Sequence, residues 1–187
     1  MTIKFSFNQR KAIQAAALLL QLHGGNMRRL RLIKLLYLAE RESLKQFGKP
    51  IIGDDYVSMP HGPVLSKVLN LAKEDQKRID GSLWQKYIRK SGENSVKLVL
   101  EPKYSKLSPA EVKTLKQVHH THRNRTRWEI RDMTHLFEEW ENPGESSIPI
   151  EVESILKAVK KSDSEIDHIA KAAIESQYFT RLFNSRA

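Results

Sequence analysis

Apolar positions recur at helical spacing along most of the chain. Between residues 8 and 23, Ile13, Ala16, Ala17 and Leu20 fall on one face, the recurrence that marks an amphipathic helix. Gly24-Gly25 ends it, because glycine enters left-handed backbone without steric cost. Asn26 is then placed to cap a second helix over roughly 27–47. Two apolar stripes run along this second helix, Leu32, Leu35, Leu36 and Ala39 on one and Ile33, Tyr37 and Leu44 on the other. A helix apolar on more than one side belongs at the centre of a core. Gly48 stands as its C′ residue, and Pro50 prevents continuation.

The period then changes. "DDYVSM", Asp54 to Met59, alternates over a short stretch and predicts a strand. Pro60 to Pro63 predict a turn, and Val64, Val68, Leu71 and Ala72 mark a third helix. "SLWQKYIRK" and "SVKLVLE" alternate through Leu83, Tyr87, Val96, Leu98 and Leu100. Ser91-Gly92-Glu93-Asn94 between them suits a hairpin loop. Three helices followed by a hairpin is the order of a winged-helix module, a likeness of topology alone.

Helix starts are plain in the second half. Ser108 to Glu111, Thr126 to Glu129 and Ser162 to Glu165 each place a hydroxyl three residues before a glutamate, the capping-box spacing. Apolar faces follow at Ile130, Met133, Phe137 and Trp140, at Val152, Ile155, Leu156 and Val159, and at Ile166, Ile169, Ala170 and Ala173. Asn142-Pro143-Gly144 breaks the run, and only the last few residues read as loose. The expectation is a mainly α, compact multi-helix domain with a short strand and a β-hairpin. It is read as one domain over 1–187, with N-terminal helices and the β element in 1–104 and a helical part in 105–187.

Composition narrows the function. The chain has no cysteine, which excludes disulfides and thiol catalysis and favours a cytoplasmic protein. It lacks an apolar run long enough for a membrane span, and "MTIKFSFNQR" lacks the apolar core of a signal peptide. The formal charge of +10 is uneven: residues 1–131 hold 26 Lys/Arg against 11 Asp/Glu, and residues 132–187 hold 6 against 11. A basic body with an acidic C-terminal part fits a polyanionic partner, a partner with its own charge pattern, or a merely soluble surface.

The candidate chemistry is sparse. His119 and His122 share a helix face, but no further ligand motif accompanies them, and a zinc site needs three or four ligands. They continue the face begun by Val112 and Leu115 and read as packing residues. His61 in its turn has no nucleophile beside it in the pattern, so it reads as structural. No nucleophile elbow and no phosphate loop occurs, and neither an enzyme nor a cofactor is expected. Arg28, Arg29 and Arg31 occupy the predicted first turn of the central helix, where positive charge opposes the helix dipole. A local rule broken without visible compensation points to a binding surface or to a solvated basic turn.

Taken together, "LRLIKLLYLAE…FGKPIIGDDYVSMPHGPV" resembles the Panacea domain, the SocA-like, phage-associated antitoxin family. The resemblance rests on Lys34, Leu35, Leu36 and Tyr37 of the "KLLY" helix, on Gly48 and Pro50 of the link, and on His61, Gly62, Pro63 and Val64 of the turn. "MTHLFEEWENP" is similar to the family's later segment through His135 and Trp140, and "IPIEVESILKA" to its penultimate helix. The likeness extends over roughly residues 8–175. Leu69 stands where family members often carry an aromatic residue. The resemblance implies a binding module without catalytic residues: an antitoxin that neutralises a cognate protein toxin, the product of a neighbouring gene, by direct contact. A nucleic-acid-binding regulator and a proteolytic adaptor are the alternatives.

Overall fold

A computed structural model of the chain describes residues 2–73 and 82–184. The loose end expected at the last residues lies outside them. Helix α1, Gln9–Leu22, starts where the Asn8 side chain accepts from the Lys11 N–H at 3.0 Å. It is buried over most of its circumference, from Ala12 to Leu20. Its end folds over Gly24 and Gly25, with the Gly25 N–H donating to the Leu20 carbonyl at 2.8 Å.

The next segment departs from the sequence expectation. Asn26 caps nothing: Asn26–Arg28 is strand β1, and helix α2, Arg29–Phe47, begins after Arg28 without a side-chain cap. β1 finds a partner 67 residues or more along the chain, Arg28 opposite Ser95 and Met27 opposite Val96 in β5, Ser95–Leu98. Pairing of that separation leaves no local signature. α2 is central as predicted: Leu32, Leu35, Leu36, Tyr37 and Leu44 are fully buried. It ends at Gly48, whose φ of 66° is left-handed and whose N–H donates to the Leu44 carbonyl.

The predicted strand and turn follow as β2, Tyr56–Ser58, and a corner that leads into β3, Val64–Leu65. Helix α3, Ser66–Lys73, starts two residues later than its apolar pattern suggests. "SLWQKYIRK" divides: Leu83–Tyr87 is a short helix, α4, capped by Ser82, and only Ile88–Lys90 is strand, β4. Trp84 is buried there at a helical register, overriding the apparent alternation. β4 and β5 form the expected hairpin, and β1 adds to it, giving the order β1-β5-β4.

All three capping boxes form. They open α5 at Pro109–His122, α6 at Arg127–Thr134 and α8 at Asp163–Asn184. α6 is shorter than its apolar face implied: it stops at Thr134, and residues 135–140 run on as turns. Ile148–Ile150, read as part of a helix, is strand β6, and it pairs with β2 before α7, Val152–Ala158. The second sheet is therefore β3-β2-β6. One hydrophobic cluster runs from Ile3 through α1, α2 and α5 to Ala173. The fold is mainly α with two small antiparallel sheets, and among the described residues no helix is long and apolar enough to cross a membrane.

Candidate functional site

Lys34, Tyr37 and Glu40 lie three residues apart along one stripe of α2, and all are fully buried. A buried polar group is costly unless it is hydrogen-bonded, and each of these ties a different loop to the helix. Lys34 Nζ donates to the Pro63 carbonyl at 2.7 Å. The Tyr37 hydroxyl donates to Glu139 Oε1 at 2.9 Å, and Arg41 Nε donates to the same oxygen at 2.7 Å. The Arg41 guanidinium also lies 4.1 Å over the Phe137 ring. Glu40 accepts from the N–H groups of Ile51, Ile52 and Gly53 at 2.9, 2.7 and 3.3 Å, and from the Tyr56 hydroxyl at 2.9 Å. Burial pushes the Glu40 carboxyl up to about 7, although these four donors act against it. Burial, aided by the Arg131 charge, brings the Lys34 ammonium down to about 7.

The Lys34 strut ends in the Met59–Pro63 turn. Gly62 there has φ +86°, and a Cβ on it would stand 2.6 Å from Lys34 Nζ and 2.7 Å from Thr134 Oγ1. Only glycine fits both the conformation and the space. The His135 ring stacks on Trp140 at 4.2 Å between centroids, and Trp140 Nε1 donates to the Met59 carbonyl at 3.2 Å. Burial, then the charges of Lys34 and Arg131, hold the His135 imidazole below its usual pKa. The turn is thus held at both ends, Met59 by Trp140 and Pro63 by Lys34. Val64 continues from it into the β2–β3 pair, Leu35 and Leu36 fill the core, and Gly48 and Pro50 belong to the far end of α2.

The outer side of this braced turn lines a groove of about 340 Å³. Its apolar surface comes from Leu30, Ile33, Met59, Val64 and Leu69, and its charged groups are Arg28, Arg29, Lys73 and Arg127. Among the described residues no aspartate or glutamate lines it. Trp128 stands at its edge, 43% exposed. The Arg127 and Arg131 guanidinium carbons lie 4.6 and 4.8 Å from its ring centroid, within cation–π range. His61 meets the same ring edge-on at 6.2 Å.

This placement corrects two sequence readings. Arg28 and Arg29 do reach a surface groove, Arg28 from β1 rather than from the helix. Arg31 does not: it is 6% exposed and points inward. Its guanidinium donates to the carbonyls of His122 at 2.9 Å and Arg123 at 3.2 Å, and also to that of Arg125. These carbonyls lie at and beyond the end of α5, where unpaired acceptors and the helix dipole favour a cation. So Arg31 has the local compensation that the sequence concealed. His61, read as structural, is exposed and faces the groove, while its neighbours Gly62 and Pro63 are buried. His119 packs its ring against His23 at 5.9 Å, and His122 is buried beside Arg31. Among the described residues no three His, Cys, Asp or Glu side chains are grouped to hold a metal.

A family model described as antitoxin SocA-like, Panacea domain matches residues 32–141, which is 110 of the 187 residues. The chain belongs to this family. No curated protein and no solved structure matches it. The Panacea match takes in all the struts of α2, the Met59–Pro63 turn, Trp128 and the His135–Trp140 pair. Arg28 and Arg29 precede the matched span, so of the four Lys/Arg side chains among the described groove residues, two come from flanking sequence. Sequence reasoning missed Glu40, Glu139 and Trp128. Glu40 had a signal, a carboxylate in register with Lys34 and Tyr37 on an apolar helix. Trp128 had none, because nothing local tells an exposed tryptophan from a core one.

Proposed function

We propose that the protein is an antitoxin that neutralises a cognate protein toxin by direct contact, without catalysis, and that the groove is part of the surface that makes this contact. Membership of the SocA-like Panacea family supports the class of activity. The single observation that supports the site is Trp128, half-exposed with two guanidinium groups against its ring at the edge of an apolar, cationic groove. Tryptophan and arginine dominate the energetics of protein interfaces, because both bury large area with a polar handle. Around it, the buried struts keep the Met59–Pro63 turn fixed, so the groove wall is formed before a partner arrives and less ordering cost falls on binding. The test is co-expression with the product of the adjacent gene. Growth should be arrested by that product alone and restored when the chain is present, with the two proteins co-purifying at a fixed ratio. Restored growth without a complex, or a complex without restored growth, would defeat this reading.

A second reading, a nucleic-acid-binding regulator, is favoured by the β1-β5-β4 sheet. Its strand order and the succession α1-β1-α2 with a late hairpin follow the winged-helix plan. On its exposed face the register sets Asn26, Lys97 and Arg89 in one row and Arg28 with Ser95 in the next. Contact with a nucleic-acid backbone would weaken steeply with salt, each neutralised phosphate adding about one to the log–log slope.

A further inference from the structure

The groove has a chemical signature more specific than a general contact surface. Its volume of about 340 Å³ lies at the low end of the ~300–1,000 Å³ typical of ligand pockets. That is room for an anchoring side chain and the chain around it, not for a convex domain face. Its floor is aliphatic, which suits an apolar anchor. Its rim is cationic on several sides, from Arg28 on β1, Lys73 at the end of α3 and Arg127 at the start of α6. Among the described residues Arg28, Arg29 and Arg127 make no ion pair, whereas Arg131, one turn along α6, pairs with Asp132 at 2.5 Å. Among the described residues, then, Arg28, Arg29 and Arg127 meet no carboxylate around an apolar floor.

We infer that the groove seats a short acidic segment of the partner, a linear stretch with one bulky apolar side chain flanked by carboxylates. This deepens, and rests on, the reading of the protein as a toxin-binding antitoxin. The apolar anchor fills the floor beside Trp128, and the flanking carboxylates meet Arg28 and Arg127 on either side. The aliphatic floor separates this occupant from a nucleic acid, whose backbone would use the cations and leave Leu30, Ile33 and Leu69 uncovered. Charge complementarity of this kind raises the rate of encounter and selects among partners.

The test uses the full chain and three fluorescein-labelled synthetic peptides of equal length, followed by fluorescence anisotropy. The first has one tryptophan among aspartates and glutamates; the second replaces the tryptophan by glycine; the third replaces the acids by asparagine and glutamine. The first peptide should bind at least about tenfold tighter than either control, a difference of ~1.4 kcal/mol. Trp128→Ala and the pair Arg28→Glu with Arg127→Glu should each abolish that preference while the thermal unfolding curve stays in place, since all three side chains are surface groups. Equal binding of the three peptides, equal binding by the variants, or displacement of the first peptide by a single-stranded oligonucleotide of thymidines would overturn the inference. The same variants, co-expressed with the adjacent gene product, separate the two ideas. If parent and variants all restore growth, the groove is not the contact and the antitoxin reading stands. If the peptide preference holds but the parent restores no growth, the antitoxin reading falls and the acidic-segment site remains.

Discussion

Lys34 Nζ lies 2.7 Å from the carbonyl oxygen of Pro63, so the buried face of the central helix holds a turn whose other face lines the groove. The KLLY and PHGP motifs, 24 residues apart from Tyr37 to His61, are one structural device. Their contact is internal, through Lys34, Gly62 and Pro63, while Pro60 and His61 look outward.

Leu36 is fully buried at the centre of the cluster. Leu36→Ala should lower stability by about 2–5 kcal/mol, the usual cost of truncating a core leucine. Chemical denaturation measures it, and a change within error would take Leu36 out of the core.

Gly62 requires both a left-handed φ and empty space. Gly62→Val would force a side chain against Lys34 and Thr134 in a conformation that alone costs about 1–3 kcal/mol. A sharp fall in soluble, cooperatively unfolding protein is expected. His61→Ala, at the exposed neighbouring position, should leave the unfolding midpoint unchanged.

Arg31 closes the end of α5 through three carbonyl groups. Arg31→Met keeps much of the apolar stem and removes the donors. It should cost about 1–3 kcal/mol, the penalty for leaving buried polar groups unpaired. Arg28→Met and Arg29→Met, at the groove, should change stability by less than about 0.5 kcal/mol. Equal effects at all three positions would place Arg31 at the surface with the others.

Two buried groups give stability an unusual dependence on pH. The Lys34 ammonium is lowered from 10.5 to about 7 by burial. Between those values the unfolded chain binds more protons, so this group makes stability rise with pH from about 7 and lose that gain as pH falls through 7. Glu40 is raised from 4.5 to about 7. Over that window the folded state holds the extra proton, so its contribution is complete below 4.5 and declines as pH rises to about 7. Relative to the parent, Lys34→Met should flatten the change in denaturation midpoint between about pH 7 and 9, and Glu40→Gln that between about pH 5 and 7. Parallel curves for parent and variant would show that the group titrates alike in folded and unfolded chains.

The sequence by itself determined what depends on neighbours a few residues away. The three capping boxes, the glycine stop at Gly48 and the turn at Pro60 to Pro63 each follow from bonds or dihedrals closed within one turn, and all occur as read. The two apolar stripes of α2 likewise fixed its place in the core, because a side chain's direction on a helix follows from its register. Tertiary structure alone decided the rest. β1 exists because Met27 and Arg28 meet Val96 and Ser95, and β6 because Pro149 lies opposite Val57; short strands with distant partners carry no periodicity. Arg28 and Arg31, three positions apart, part company, one to a groove and one to the end of α5, since only the packing of α5 against α2 supplies carbonyls for Arg31. The groove itself joins β1, the Met59–Pro63 turn, α3 and α6, and a surface assembled from four distant segments has no local pattern that could announce it.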